Sequence, residues 1–292
     1  MRAILFFVIL LCSGFLISCS EDDATPLPTL QIATGEGVVT NGDTIGEGTL
    51  MFFRLILNGN GTKITNLVAT ITYNDQKKTM MDFGLWKENL DTIIGFYKSD
   101  WQQENWTFTV MTEKRDFASA GLTILKDTIS SFGSIVTWPL VTLSFQGING
   151  PHYFDVETGE VLTDAEATVR QSDIDLLVYY YNDAGKPSPT FSSPGDQDAL
   201  THYPVIGNWT TLNYTKYDYV SQTTPDAFDK ATNDSLLIKQ YDDVWGRRKY
   251  KYATAGWVFP FKTANGKIGL IKVLRSDVDA SGTIDFAVKV QP

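Results

Sequence analysis

Residues 50–73 read LMFFRLILNGNGTKITNLVATITY, and the alternation inside this stretch decides the fold. In its second half Leu67, Ala69, Ile71 and Tyr73 face one way while Val68, Thr70 and Thr72 face the other. Successive side chains of an extended chain point to opposite faces, so this is the pattern of a half-buried strand. An apolar run, residues 50–57, precedes it and is joined to it by Asn58-Gly59-Asn60-Gly61. Asn and Gly tolerate positive φ, so the connection predicts a β-hairpin. Farther along, Trp106, Phe108 and Val110 alternate with threonines. After a turn at Arg115-Asp116, Ala118, Ala120, Leu122 and Ile124 alternate again. Short strands at this spacing, with few helical stretches, predict a β-sandwich over residues 29–131.

Residues 132–292 form a second strand-rich unit. The run Asp173-Ile174-Asp175-Leu176-Leu177-Val178-Tyr179-Tyr180-Tyr181 is too apolar for an edge and reads as a central strand. Thr224-Pro225-Asp226 is a helix start, with a capping hydroxyl, proline in the first turn and an early carboxylate, so one or two short helices are expected up to about Gln240. Strands are expected at 259–262, 269–274 and 283–290, the first two joined by the Asn265-Gly266 turn. The fold class is therefore mainly β: a sandwich followed by a second sandwich-like domain with short helices.

The 292 residues are 43% hydrophobic and 13% aromatic, enough for two packed cores. The net charge of −10 argues against nucleic acid, whose phosphates need a basic face. The basic cluster Arg247-Arg248-Lys249 with Lys251 is interleaved with Tyr250 and Tyr252 and reads as a strand with one charged face. There are 2 cysteines, Cys12 and Cys19. Cys12 falls in an N-terminal apolar segment, residues 3–17, that follows Arg2 and is too short to span a bilayer comfortably.

Leu16-Ile17-Ser18-Cys19 resembles the bacterial lipobox, which implies removal of residues 1–18 and acylation of the Cys19 sulfur. No intrachain disulfide is then possible in the mature chain. Residues 19–28 read as a lipidated cysteine followed by an acidic, proline-containing tether. The run Ser20-Glu21-Asp22-Asp23 resembles the export signal of surface lipoproteins of Bacteroidota, which implies the outer face of the outer membrane. The stretch ENWTFTVMTEKRDFASAGLTILKD, residues 104–127, resembles the immunoglobulin-like modules of such lipoproteins, with Phe117 where they carry a turn glycine. Three pieces of the second unit, YFDVETGEVLTDAEA, DIDLLVYYY and GKIGLIKVLRSDVDASGTIDFAVKV, together with Ser193-Pro194, resemble a family of two-domain surface lipoproteins of Bacteroidota without an assigned activity. Asp43-Thr44-Ile45, Asp91-Thr92-Ile93, Asp127-Thr128-Ile129 and Asp234-Ser235-Leu236 resemble the O-glycosylation sequon of those bacteria.

Candidate sites are sparse. Asp277-x-Asp279-x-Ser281-Gly282-x-x-Asp285 looks like the front of a calcium loop, but Val288 stands where the bidentate glutamate belongs, so a strand-to-strand turn is the expected reading and no metal or other cofactor is assigned. The 2 histidines, His152 and His202, have no motif spacing that supports a catalytic triad or haem ligation. Asp173 and Asp175 would share one strand face, and among 34 acidic residues such a pair is read as structural. Aromatic residues are the better signal. Trp209, Tyr214, Tyr217, Trp245 and Trp257 lie among hydroxyl and amide side chains, a composition suited to stacking on sugar faces or anchoring a protein interface. The expectation is a non-catalytic, lipid-anchored surface protein that binds a glycan or a host protein, with an adhesin-like spacer as the alternative and a hydrolase or haem-binding protein behind both. Mass spectrometry of the N-terminal peptide is expected to find Cys19 as residue one with acyl chains on it; an unmodified thiol there would remove the anchor.

Overall fold

The computed structural model of the chain describes residues 26–220 and 223–292, so Cys19, the signal segment and the acidic residues after it lie outside the described residues. Strand accounts for 46% of the structure against 13% for helix, so sheet pairing carries the fold. The first unit has eight strands: β1 (Thr29–Ala33), β2 (Thr44–Ile45), β3 (Leu50–Asn58), β4 (Ile64–Tyr73), β5 (Gln76–Lys87), β6 (Asn89–Tyr97), β7 (Gln103–Thr112) and β8 (Phe117–Lys126). They form a three-stranded sheet ordered β1-β3-β6 and a five-stranded sheet ordered β2-β8-β7-β4-β5. Only β2 runs parallel to its neighbour, β8.

In β4 and β7 the inward positions are those the alternation selects, and in β3, an apolar run, every second residue turns inward. Met51, Phe53, Leu55 and Leu57 from β3 meet Leu67, Ala69 and Ile71 from β4 and Trp106, Phe108 and Val110 from β7 in one core. Phe53 lies 4.8 Å from Trp106 and 5.2 Å from Phe108, centroid to centroid. The hairpin expected at residues 58–61 does not form. Asn60 and Gly61 do turn at positive φ, but β3 pairs with β1 and β6 while β4 pairs with β5 and β7. Both strands carry a fully apolar inner face, and facing each other across the sandwich buries both faces where side-by-side pairing would leave them needing another cover.

One inward position of β7 is charged. Glu104 and Lys98 have no exposed side-chain surface and pair at 3.0 Å. Glu104 Oε1 also accepts from the Ser99 amide (2.7 Å) and hydroxyl (2.6 Å), and its Oε2 from the Trp106 indole (2.8 Å). The Lys98 ammonium spends its other donors on the carbonyls of Ser99 and Trp101.

The second unit comprises β9 (Val136–Ser144), β10 (Tyr153–Phe154), β11 (Val161–Leu162), β12 (Leu176–Asp183), β13 (Lys186–Ser192), β14 (Lys216–Asp218), β15 (Gly246–Arg247), β16 (Val258–Lys262), β17 (Ile268–Ser276) and β18 (Thr283–Val290), with helices α1 (Asp164–Val169), α2 (Gln197–His202), α3 (Pro225–Lys230) and α4 (Ser235–Gln240). A four-stranded sheet, β11-β10-β12-β13, packs on a six-stranded one, β15-β14-β16-β17-β18-β9. Between them sit Phe154, Leu176, Val178, Phe191, Phe259, Ile271 and Phe286. The outer face of the smaller sheet packs on α1 and α2 through Leu177, Tyr179, Ala167 and Ala199. The outer face of the larger sheet packs on α3 and α4 through Leu270, Ala287, Phe228 and Leu237. Both faces of β12 are therefore covered, which is why its sequence is a continuous apolar run.

Two short helices, α3 and α4, follow Thr224 as expected, and Thr224 caps α3 by accepting from the Ala227 amide at 3.1 Å. Among the described residues α1 and α2 add two more, of six residues each, too short for apolar periodicity to show. One expectation is corrected here. Asp173 and Asp175 do not share a strand face. Asp173 ends a 3-10 turn and binds the Arg170 guanidinium at 2.9 Å. Asp175 is buried ahead of β12, where its carboxylate accepts the Val156 amide at 3.1 Å.

The two units meet through polar contacts. Glu47 accepts Lys126 from its own unit and Lys239 from the other, each at 2.8 Å. The Gln291 amide donates to the Tyr97 hydroxyl (2.9 Å) and to Asp234 (2.8 Å), and Asp234 also accepts the Gly133 amide (2.7 Å).

Two stability predictions follow from these buried charges. Lys98→Met leaves Glu104 charged and uncompensated and is expected to cost on the order of 3–5 kcal/mol in urea unfolding, with part of the loss recovered in the Lys98→Met/Glu104→Gln double variant. Equal stability of the single variant and the parent would show the pair to be incidental. Burial raises the Asp175 carboxyl to about 7, assisted by Asp155 and Glu157 and opposed by the Val156 amide and Lys267. The folded chain then holds this proton more tightly than the unfolded chain, so Asp175 makes the protein lose stability as pH rises from about 4 to about 7. The loss is on the order of 3–4 kcal/mol. Asp175→Asn is expected to flatten that slope and to stabilise the chain at about pH 8, read by unfolding at several pH values.

Candidate functional site

A cleft of about 570 Å³ opens where the two units meet, a volume in the range of small-ligand sites. The first unit contributes the free edges of its two sheets, β6 and β5, and the loop that follows β6. The second contributes α4, the residues after it and the β16–β17 turn. Apolar walls come from Leu50, Phe52, Met80, Phe96 and Trp101 on one side and Ile238, Tyr241 and Ile268 on the other, with Phe132 between them. Phe132 packs directly over Gly48, whose φ of +84° and bare Cα admit the ring; a Cβ there would stand 2.6 Å from it.

Polar groups alternate with these rings. Trp101 is held by its carbonyl, which accepts Lys98 Nζ at 2.6 Å, and by its amide, which donates to the Ser99 hydroxyl at 3.2 Å. Its ring centroid lies 6.0 Å from that of Tyr73. Opposite, Asp242 caps a 3-10 turn, Asp243–Trp245, by accepting the Val244 amide at 3.0 Å, and Lys78 reaches across to it at 3.8 Å. Asp243 accepts Lys262 at 2.7 Å and the Tyr241 hydroxyl at 3.0 Å, with Lys216 at 3.6 Å. Burial would raise the Asp243 carboxyl, but Lys262 and Lys216 hold it below its ordinary value. The hydrogen bonds of Lys126 and Lys239 likewise hold Glu47 down. These carboxylates are ionised acceptors at neutral pH and not proton donors. What the cleft supplies is ring faces beside fixed hydrogen-bond acceptors and ammonium donors.

Of the aromatic residues singled out in the sequence, Trp209 and Tyr217 are core. Trp209 is 7% exposed and packs on Tyr153; Tyr217 is fully buried, and its hydroxyl donates to the Ser192 carbonyl at 2.7 Å. Tyr214 is half-buried, its ring 5.0 Å under the Arg248 guanidinium. Trp245 and Trp257 are exposed; Trp257 stands edge-on to Tyr250, and Trp245 belongs to the 3-10 turn that carries Asp243. Among the described residues no ring contact joins any two of the five, so they do not form one site. Trp209 ends the 3-10 turn Pro204–Asn208 and packs into the core under α1 and α2, whereas Tyr217 faces inward from β14 into the core between the sheets. The cleft ring Trp101 has one local signal in the sequence, a tryptophan in the polar loop Ser99-Asp100-Trp101-Gln102.

The remaining candidates resolve into structural roles. In the Asp277–Asp285 turn the Arg275 guanidinium donates to Asp277 at 2.7 Å and to Asp285 at 2.8 Å. The Thr283 amide donates to the other oxygen of Asp277, and Asp279 accepts the Ser281 amide. The Thr283 amide and Arg275 together hold Asp277 below the usual carboxylate range. His152 is buried with Nδ1 2.8 Å from the Ser144 carbonyl; His202 stacks on Tyr179 at 4.1 Å, and burial lowers its pKa. Neither lines the cleft. The basic cluster is no strand with a charged face: β15 ends at Arg247, Arg247 covers the Tyr219 ring at 5.2 Å, Lys249 pairs with Asp198 and Lys251 with Asp183.

No family model matches the chain, and no curated protein does. Among solved structures, the chain is similar to the crystal structure of a DUF4466 family protein from Parabacteroides merdae, at 10% identity and a TM-score of 0.42, over 91% of this chain and 99% of that one.

Proposed function

We propose that the chain is a lipid-anchored protein of the bacterial outer surface that binds a glycan, without acting on it, in the cleft between its two units. The observation that carries this reading is the cleft's lining. Phe52 and Trp101 present rings in the same lining as Asp242, Asp243 and Asn265, and lysines hold the two carboxylates in place. Sugars offer apolar C–H faces that stack on rings and hydroxyls that donate to fixed acceptors, so this combination suits them. Each lining cation has an anionic partner: Lys78 with Asp242, Lys239 with Glu47, Lys262 with Asp243 and Lys98 with Glu104. A balanced lining favours a neutral ligand over a strongly charged one. Hydrolysis of a glycosidic bond would need one carboxyl kept protonated, and Asp243 is shifted the opposite way. The anchor rests on Cys19 and the acidic residues after it.

A glycan array probed with the chain from Ser20 onward tests the proposal. At least one neutral glycan is expected to be retained, and Phe52→Ala and Trp101→Ala are each expected to weaken it roughly tenfold, about the worth of a stacked ring. Affinity is expected to stay flat from about pH 8 to about pH 5, because Asp243 and Glu47 are held below their ordinary values of 3.8 and 4.5. A blank array, or binding indifferent to both substitutions, would overturn the cleft assignment.

A further inference from the structure

We infer that the pole of the first sandwich from which the N-terminal tether leaves lies against the bilayer surface, with Trp86 and Phe117 seated among the lipid headgroups; the inference rests on the anchoring half of the reading above. Strand register places the ends of all the long strands of this unit. Thr29 pairs with Asn58 and Asn58 with Asn89, while Ile64 pairs with both Lys87 and Thr112, and Met111 pairs with Phe117. The start of β1, the 58–63 connection, the β5–β6 turn and the β7–β8 turn therefore share one pole. The Asn60 amide fixes the incoming chain there by donating to the Leu27 carbonyl at 2.5 Å.

That pole exposes large apolar side chains, and its connections carry a small positive excess. Phe117 is 69% exposed, Trp86 65% and Leu27 65%. Beside them the three connections carry Lys63, Lys87, Lys114 and Arg115 against Glu88, Glu113 and Asp116, an excess of one positive charge on a chain whose net charge is −10. Tryptophan with flanking lysines is the composition that settles at a membrane–water interface, where the ring is amphipathic and the ammonium reaches the headgroups.

The chain outside the structure names the occupant. Seven residue steps separate Cys19 from Pro26, a span of at most about 25 Å. An acyl chain on Cys19 thus keeps this pole within about 25 Å of the bilayer. β4, 10 residues long, then holds the far end of the sandwich away by about 33 Å.

The mature chain's sole cysteine is the acylated one, so single cysteines introduced by Trp86→Cys, Phe117→Cys or, at the far pole, Gln76→Cys accept an environment-sensitive nitrobenzoxadiazole label. The protein is tethered to vesicles of equal parts phosphatidylethanolamine and phosphatidylglycerol in two ways. One uses its own acyl chains. The other uses the Cys19→Ala chain carrying an N-terminal hexahistidine tag on nickel-chelating lipid. Nitroxide-headgroup lipid is expected to quench the labels at 86 and 117 several-fold more than the label at 76 by either route. Equal quenching at all three positions in the vesicle-bound protein would overturn the inference. So would a label shift that appears without vesicles and grows with protein concentration, which would assign the pole to a second copy. Failure of the natural chain alone to sediment with vesicles would remove the acyl anchor, and the tagged route would still decide the pole.

Discussion

A buried ion pair, Lys98 with Glu104, governs the geometry from which the cleft is built. Glu104 occupies an inward position of β7, in line with Trp106, Phe108 and Val110, where the alternation calls for an apolar side chain. The carboxylate is tolerated because four donors converge on it, from Lys98, from the amide and hydroxyl of Ser99, and from the Trp106 indole. The ammonium is tolerated because its remaining donors meet the carbonyls of Ser99 and Trp101. A charge pair without that full set would be worse than two apolar residues. With it, the loop of residues 98–101 has one conformation, and the Trp101 ring is delivered to the cleft wall by main-chain bonds and does not depend on its own packing alone. Stability spent on burying charge is returned as precision at the cleft.

The second unit solves a different constraint. Two sheets packed face to face bury one side of each, but β12 and β17 are apolar on both sides, and an exposed second face would be an aggregation surface. Four helices of six residues each cover those faces. Helices this short are marginal in isolation, so their helicity comes from the sheet beneath and from their caps: Thr224 for α3, Asp196 for α2 and, for α1, Glu166 reaching back to the Thr163 amide at 2.9 Å. The residues after α4, Tyr241 to Asp243, are positioned by the same packing, since Tyr241 belongs to that outer core. Their place in the cleft is a by-product of covering the sheet.

How far the sequence discloses all this depends on the range of the interaction involved. Strands β4, β7 and β8 were legible because alternation is local, β3 because it is an apolar run ended by a turn, and the cap of α3 because its residues are adjacent. The partner of each strand was not: the Asn58–Gly61 turn reads as a hairpin, and whether β4 folds beside β3 or across from it is settled by which pairing covers Phe53 and Leu55. The charged members of the core were equally hidden, because Glu104 looks like any polar residue at the head of a strand until Lys98 and Ser99 are brought to it. The expected ligand-binding rings failed for the same reason in reverse. Tyr217 and Trp209 carry the right chemistry in the right company, but Tyr217 lies on the inner face of β14 and Trp209 on the core that α1 and α2 close. The cleft itself is made from residues as far apart in the chain as Glu47 and Ile268, and no local pattern encodes that.

The junction between the units then decides what the cleft can do. Glu47 is shared between Lys126 of the first unit and Lys239 of the second, so its second cationic partner is present only when the units are in contact. Gln291, next to last in the chain, ties Tyr97 of β6 to Asp234, and Asp234 in turn fixes Gly133 of the connecting segment. Exposed ion pairs contribute little each, but Asp234 and Gln291 are buried, and a buried polar network has one satisfied arrangement and many unsatisfied ones. The two walls of the cleft are therefore held by this buried network together with the Lys239–Glu47 and Lys78–Asp242 pairs that join them within the lining. A site of that kind is formed before its ligand arrives, and little of the binding energy is lost to ordering it.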